Sequence, residues 1–171
     1  MDPILVRDIQ KAEGCSLTAY LDTNGFWTIG WGHKLPVTLR GWNGLVWTQE
    51  QADIQLETDI ADAGKHAMAL PEWTADDSRA RRNALVELVF NMGCTKWQTF
   101  TKTRTLWRLQ NWSNASAELM DSLWSRQVGK TRSERLANYL RMGCYPPSVV
   151  ASSLYASSLS AWPHGFALVA A

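Results

Sequence analysis

Apolar residues recur at helical spacing over several stretches of the chain. The broadest stripe precedes Gly93, and it predicts a helix that ends at this glycine. A cap at Thr74, answered by Asp77, is expected to begin that helix. Its apolar members are Ala80, Ala84, Leu85, Leu88, Val89 and Met92. We expect this helix to form the centre of a C-terminal core.

A second helical pattern follows Thr48. Thr48 and Gln51 have the spacing of a capping box, and apolar residues then recur to about Leu70 before a proline. A helix of ~20 residues would be ~30 Å long, which suits a connector between two lobes. Its acidic residues are expected to form a solvated face: Glu50, Asp53, Glu57, Asp59 and Asp62.

Shorter helices are predicted over residues 3–13, 101–109 and 113–124. A third capping box at Thr131 predicts another helix, which ends at Gly143. Beyond it, residues 144–171 contain no Asp, Glu, Lys or Arg. A last helix over 149–160, a disordered segment and weak membrane contact all remain open for this tail.

One stretch has the pattern of β-structure. Tyr20-Leu21 and Phe26–Ile29 flank the turn sequence Asp22-Thr23-Asn24-Gly25, which predicts a hairpin. The glycines on either side of Trp31 would let the backbone bend or approach a ligand closely. The whole pattern predicts a mostly α protein with one small sheet.

Composition and charge narrow the class of protein. The 171 residues are 46% hydrophobic and 19% charged, which is typical of a soluble globular chain with one domain or two small lobes. The net charge of +1 conceals an asymmetry: residues 1–77 carry 12 acidic and 5 basic side chains (−7), and residues 78–171 carry 4 and 12 (+8). The basic half attracts an anionic polymer or lipid, or the two halves simply face each other, or the charges are scattered over solvated helix faces. No nucleic-acid-binding motif is present, since the basic residues have no aromatic stacking sets beside them.

Cysteine, histidine and leader patterns exclude several kinds of site. The three cysteines are far apart and the three histidines are scattered, so neither a disulfide framework nor a metal site is predicted, and no cofactor is expected. The N-terminus has no signal-peptide pattern and no apolar run is long enough to cross a membrane. These features predict a cytoplasmic protein. The ten tryptophans are interpreted as core-filling, except that Trp27 and Trp31 also suit sugar stacking.

Two carboxylates near the predicted hairpin are candidates for chemistry. Glu13 closes the first helix beneath an apolar shelf, where desolvation favours a protonated carboxyl, and Asp22 lies at a polar turn that favours the ionised form. Such a pair is what cleavage of a glycosidic bond needs. Thr28 is expected to point its hydroxyl into the same cleft and hold a water. The spacing alone is a weak signal, because either carboxylate is more often a surface charge or a turn cap. The shelf is formed by Leu17, Phe26, Trp27 and Trp31.

A wider set of residues resembles the catalytic motif of phage-type lysozymes, the T4-like endolysin family. The motif residues are Glu13-Gly14, Tyr20, Asp22-Thr23, Gly25, Thr28-Ile29-Gly30 and Gly32-His33. Farther along, Phe90–Gly93, Trp124 and Thr131–Arg135 are similar to the family's central helix end, late tryptophan and basic helix. The loop over 42–47 and the tail after Gly143 have no counterpart in that pattern.

The resemblance implies an α+β, mostly α, two-lobed lysozyme-like fold with a small antiparallel sheet. The expected single domain has an N-terminal lobe at about 14–48, a connecting helix at about 49–70 and a helical C-terminal lobe at about 71–143 that includes residues 1–13. The expected activity is hydrolysis of the β-1,4 bond between N-acetylmuramic acid and N-acetylglucosamine in peptidoglycan. Glu13 would be the general acid, and Asp22 with Thr28 would position the attacking water. Inversion is implied, with carboxylates ~6.5–9.5 Å apart.

The resemblance also implies substrate contacts and a biological setting. Candidate substrate-binding residues are Trp31, Gly32, Phe90, Asn91 and Arg132. Arg132 matches the family arginine near the catalytic acid, with a surface charge at a helix start as the alternative, and His33 is interpreted as structural. The expected protein is a monomeric phage endolysin that leaves the host cytoplasm through a holin-made lesion, with peptidoglycan and, as a second candidate, anionic outer-membrane lipid as partners. Alternatives are a lytic transglycosylase, a chitinase-like enzyme and a non-catalytic wall-binding module.

Overall fold

The computed structural model describes residues 1–37 and 41–152. The elements in chain order are α1 Pro3–Glu13, β1 Ser16–Leu21, β2 Trp27–Gly30, β3 His33–Lys34, α2 Gln49–Met68, α3 Pro71–Thr74, α4 Arg79–Gln98, α5 Thr101–Arg108, α6 Trp112–Asp121, α7 Leu123–Gln127 and α8 Lys130–Met142. The strands form one antiparallel sheet in the order β1-β2-β3. The predicted fold class, mostly α with a small antiparallel sheet, is confirmed. The lobe boundaries stay a prediction.

Helix α1 begins where the sequence predicts. The Asp2 carboxylate accepts a hydrogen bond from the Ile4 amide at 2.9 Å, and a proline at the first position suits the helix start. Leu5 and Ile9 are buried in the main core, and Gly14, with φ +68°, ends the helix. The last helical residue, Glu13, therefore emerges at the edge of the C-terminal core.

The predicted hairpin is present. Gly25 has φ +81° and its amide donates to the Asp22 carbonyl at 2.9 Å, which closes the turn between β1 and β2. Tyr20 pairs with Thr28 across the two strands. A bridge between Thr18 and Val46, which the sequence pattern did not predict, attaches the loop over 42–47 to the outer edge of β1.

Helix α2 has the predicted capping box. The Gln51 amide donates to the Thr48 hydroxyl at 3.2 Å, and the Thr48 amide donates to the Gln51 side chain at 2.8 Å. The predicted solvated acidic face is present at Glu50, Glu57 and Asp62, which are exposed, but the prediction is wrong for Asp53 and Asp59. Asp53 accepts the indole N–H of Trp31 at 2.7 Å, and Asp59 lies 2.9 Å from His33 Nδ1. These two acids fix α2 to the sheet.

Helix α4 forms the centre of the core, as predicted. The stripe residues are buried apart from Met92, which packs against the core. Gly93, with φ +77°, interrupts the helix where its end was predicted, and the element then resumes to Gln98. The predicted cap at Thr74 is wrong, because Pro71 begins a separate short helix and the Ser78 hydroxyl caps α4.

Two further predicted boundaries are corrected. The segment predicted as one helix over 113–124 is α6 and α7, separated at Ser122, whose hydroxyl accepts from the Ser125 amide. The capping box at Thr131 is wrong, because Gly129, with φ +84°, precedes the first turn of α8. The end at Gly143 is confirmed. Residues 147–152 are helical, and the remainder of the predicted helix over 149–160 lies outside the described residues.

Buried tryptophans fill the C-terminal core. Trp97, Trp107 and Trp124 are at most 2% exposed, which fits the core-filling interpretation. Six basic side chains of residues 78–171 pair with acids of residues 1–77: Arg79, Arg81, Arg104, Arg108, Arg132 and Arg135. For these six the two oppositely charged halves face each other. None of the helices in the described ranges combines the length and apolarity needed to cross a membrane.

Candidate active site

An open cleft of about 1090 Å³ lies between the sheet, α2 and α4. Glu13, Asp22 and Thr28 all line it, although they come from the end of α1, the hairpin turn and β2. The structure therefore brings the three candidate catalytic residues to one site. An open groove of this volume suits an extended polymer better than a small enclosed ligand.

Glu13 is bound by Arg132, which lies 119 residues later in the chain. Arg132 Nη1 donates to Glu13 Oε1 at 2.7 Å, and the two side chains are 7% and 22% exposed respectively. Arg132 is thus a buried partner of the carboxylate and not a surface charge. It does not line the cleft, and its placement behind Glu13 suits it to hold the acid rather than to touch a substrate.

The surroundings of Glu13 differ from the predicted apolar shelf. Leu17 and Phe26 are 36% and 45% exposed, and of the four shelf residues only Trp31 lines the cleft. Trp27 packs against Gly41 instead, so its predicted role in sugar stacking has no support from its position. Gly32, in the turn between β2 and β3, lies beside the carboxylate: a β-carbon there would be 3.5 Å from Glu13 Oε2.

The hairpin turn stabilises the ionised form of Asp22 through its backbone amides. Its Oδ1 accepts from the backbone amides of Phe26 at 2.9 Å and Asn24 at 2.8 Å, and Lys34 Nζ lies 3.8 Å from Oδ2. The Phe26 amide, with the Asn24 amide and the Lys34 charge, lowers the pKa of Asp22 below its usual value. The residue is therefore ionised at neutral pH, which suits a base or a water-holding group.

Thr28 occupies the middle of β2 and is 4% exposed. Its hydroxyl donates to the Phe26 carbonyl at 3.2 Å. Because a hydroxyl has two acceptor lone pairs as well as its proton, Oγ1 can still accept from a water on the cleft side.

Three further candidates line the cleft. Trp31 is fixed by its hydrogen bond to Asp53, and Phe90 is half-buried against the core. Asn91 Oδ1 accepts from the indole N–H of Trp124 at 2.8 Å. This bond orients the amide, and in the described part of the chain its N–H donors have no partner, so they are available to a ligand carbonyl.

Sequence reasoning missed the contribution of α2 to the cleft. Asp59, Asp62 and His66 line it, and their spacing on one helix face is a signal that was available. His33 does not line the cleft; it pairs with Asp59 and lies beside the Trp47 ring at 5.8 Å. Across residues 1–37 and 41–152, no three His, Cys, Asp or Glu side chains are grouped as a metal would require.

The comparison with known proteins settles the family. Residues 10–138 match the phage lysozyme family, and this range contains Glu13, Asp22, Thr28 and Arg132. The chain belongs to the phage lysozyme family. The predicted resemblance is thereby confirmed, and with it a lysozyme-type hydrolase.

Individual relatives agree with this family assignment. The chain is 36% identical over 118 residues to an endolysin of Acyrthosiphon pisum secondary endosymbiont phage 1, covering 69% of this chain and 75% of that protein. It is 33% identical over 126 residues to an endolysin of Lactococcus phage c2, covering 70% of this chain and about half (53%) of that longer protein. A Dictyostelium discoideum protein named "Probable T4-type lysozyme 1" is 26% identical over 161 residues, covering 81% of this chain and 94% of that protein.

Proposed function

We propose that the protein is a muramidase, which cleaves the β-1,4 bond between N-acetylmuramic acid and N-acetylglucosamine in peptidoglycan. The observation that carries this proposal is the convergence of Glu13, Asp22 and Thr28 on one open cleft. An acid and an ionised carboxylate on the walls of such a cleft can act on opposite faces of a sugar ring. Relatives named as endolysins and lysozymes support the choice of peptidoglycan.

The proposed reaction is a single displacement. Protonated Glu13 gives its proton to the glycosidic oxygen as the bond from that oxygen to the anomeric carbon breaks. A water held by Asp22 and Thr28 attacks the anomeric carbon, and Asp22 takes up a proton of that water. The product has the inverted configuration, and the carboxylates should stand ~6.5–9.5 Å apart to leave room for the water.

The remaining cleft residues would bind the glycan. Trp31 offers an indole face fixed by Asp53, and an aromatic face of this kind suits the apolar side of a sugar ring. Asn91 offers its N–H donors to an N-acetyl carbonyl, and Phe90 and Gly32 shape the walls.

Product analysis with purified peptidoglycan tests the proposal. Wild type should clear the suspension and release reducing ends. Glu13→Gln should lose about 10²–10⁴-fold of this rate, because its amide cannot supply the proton. Asp22→Asn should also lose most of this activity, because its amide cannot take up a proton from the attacking water. Glu57→Gln and Asp77→Asn change exposed carboxylates outside the cleft and serve as matched controls that keep wild-type activity.

Other outcomes would replace this function. An active Asp22→Asn variant whose products lack reducing ends would indicate a transglycosylase, which needs no attacking water. Faster release of reducing ends from chitin than from peptidoglycan would indicate a chitinase. A wild-type protein that binds walls but releases nothing would be a wall-binding module.

We further propose that the protein acts as a monomeric phage endolysin that reaches the wall from the host cytoplasm through a holin lesion. Expression inside bacteria should cause lysis only when a pore-forming protein is supplied as well. Contact with anionic outer-membrane lipid is proposed only for basic residues not paired within the fold, and it predicts lytic activity that falls from low to high salt. Lysis without a pore-forming protein would refute the holin-dependent route. Lytic activity that does not change with salt would refute the lipid contact.

A further inference from the structure

A chain of buried charges lies directly behind Glu13. Its centre is Glu87 in the middle of α4, whose side chain is 1% exposed. Glu87 Oε1 accepts from Arg132 Nε at 3.0 Å and from Arg135 Nη2 at 2.8 Å, and its Oε2 accepts from Arg135 Nη1 at 2.8 Å. Arg132 continues to Glu13, and Arg135 continues to Asp8 at 3.2 Å. Acid and base therefore alternate from the cleft into the core.

This arrangement is not explained by stability alone. Removing a carboxylate and two guanidinium groups from water costs several kcal/mol per ion, and apolar residues of similar shape often stabilise a core as well or better (~1–4 kcal/mol). Glu87 also stands within the apolar stripe of α4, between Val86 and Leu88, which are both buried. We therefore expect the Glu87 carboxylate to have a function other than stabilising the core.

The geometry of Arg132 indicates the task. A guanidinium is planar and rigid, so fixing its Nε end also fixes the direction of its Nη1 donor. Glu87 binds the Nε end and Glu13 binds Nη1, while Nη2 is buried without a partner among the described residues. The place of the Glu13 carboxyl group thus depends on where Glu87 holds the arginine.

Charge sharing points in the same direction. Arg132 pairs with two carboxylates, and the negative charge of Glu87 offsets part of the positive potential that Arg132 produces at Glu13. Without Glu87, the positive charge of Arg132, 2.7 Å from Glu13, would act on that carboxyl group unopposed.

We propose that Glu87 is a positioning residue for the reaction at Glu13, because it aims Arg132 at the acid and takes up part of the arginine's charge. The inference rests on the proposed function, since it assumes that Glu13 is the acid. Glu87 does not line the cleft and is not expected to touch substrate.

The test is the pH profile of kcat for Glu87→Gln. The amide keeps the shape and an acceptor oxygen but removes the charge, so Arg132 would act on Glu13 alone. We expect the alkaline limb of the profile to move about one pH unit lower, with an approximately tenfold loss of kcat on that limb and little change in KM. The other titratable groups of the cleft are unchanged by the substitution: Tyr20, Asp22, Lys34, Asp59, Asp62, His66 and Cys94.

Asp8→Asn is the matched control. Asp8 is also buried and bonded to Arg135 and Tyr139, but two arginines separate it from Glu13 along the chain of charges. Its loss should lower the melting temperature and leave the alkaline limb in place. Glu87→Asp provides a second variant if Glu87→Gln is poorly folded: it keeps the charge, so the limb should stay at the wild-type pH while kcat falls because the shorter side chain displaces Arg132.

Two results would overturn the inference. In the first, Glu87→Gln lowers kcat equally at every pH and leaves the alkaline limb in place. In the second, the alkaline limb of Glu87→Asp moves to lower pH by as much as that of Glu87→Gln. Both leave the proposed function intact if Glu13→Gln is inactive. An active Glu13→Gln variant would instead remove the function on which the inference rests.

Discussion

Gly32 offers a direct test of the cleft geometry, because it combines a backbone conformation that favours glycine with proximity to the proposed acid. Its φ is +92°, and a β-carbon there would lie 3.5 Å from Glu13 Oε2, which is ordinary van der Waals contact. Gly32→Ala should therefore not displace Glu13 in the free protein. The methyl group would, however, occupy space beside the oxygen that must come within about 2.6–3.2 Å of the leaving group.

Two magnitudes follow from this geometry. An L-residue in the left-handed region costs about 1–2 kcal/mol, and in a chain of this size each kcal/mol lowers the melting temperature by about 2–4 °C, so we expect a fall of about 2–8 °C. A displacement of about 1 Å between acid and substrate can cost about 10²-fold in rate, and we expect a loss of kcat/KM of this order.

Gly44→Ala separates the two effects. Gly44 has φ +82° with nothing within 4 Å of a β-carbon, and it does not line the cleft. Its substitution should cost similar stability without loss of activity. Thermal unfolding and release of reducing ends should be measured for both variants. Full activity in Gly32→Ala, or an equal loss in Gly44→Ala, would refute the reasoning.

Three other predictions concern stability. Glu72→Gln should destabilise the fold by about 3–5 kcal/mol in chemical denaturation, because the carboxylate, 0% exposed, pairs with Arg104 at 3.1 Å and its loss leaves a buried charge. Gly143→Ala should cost more than the ~1–2 kcal/mol of backbone strain in thermal unfolding, because φ is +68° and its β-carbon would lie 2.7 Å from the guanidinium carbon of Arg81. That guanidinium is bonded to Asp76 and to the Leu140 carbonyl, so it cannot move away freely. Asp22→Asn should reduce the free energy of unfolding at neutral pH but not in acid. Because its turn lowers the pKa of Asp22, ionised Asp22 stabilises the fold above its unfolded pKa of about 3.9, and this contribution disappears as the pH falls through the lower folded value.

Each of these has a matched control. Glu57→Gln removes an exposed carboxylate and should leave stability unchanged, so an equal loss would remove the argument from burial. Gly129→Ala tests strain alone, since φ is +84° with open space around it; if it costs as much as Gly143→Ala, the contact with Arg81 is irrelevant. A difference between wild type and Asp22→Asn that persists unchanged at the lowest pH would contradict the assigned origin of that stability.

Elements set by neighbouring residues could be predicted from the sequence. The cap at Thr48, the hairpin turn that ends at Gly25 and the helix end at Gly143 each depend on chemistry within about four residues. The cap at Thr131 failed although its residues match the motif equally well. The residue at which a helix begins depends on the backbone conformation of the segment that leads into it. Here Gly129, with a positive φ, leads directly into α8, so the helix begins before Thr131.

The site was predictable only in part, for the same reason. Glu13, Asp22 and Thr28 lie close in sequence, and the family motif places them together. The contact between Glu13 and Arg132 spans 119 residues, and the bonds of Glu87 to α8 span 45 and 48. No local pattern contains such pairs. The available clue was a carboxylate within the apolar stripe of α4.

The long span between Glu13 and Arg132 also has a consequence for biosynthesis. A ribosome makes the proposed acid 119 residues before the arginine that holds it, at ~5–20 residues per second. A nascent chain that stops before α8 already contains Glu13, Asp22 and Thr28, yet it lacks the partner that fixes the first of them. We therefore expect lytic competence to arise only when α8 has emerged and docked against Glu13.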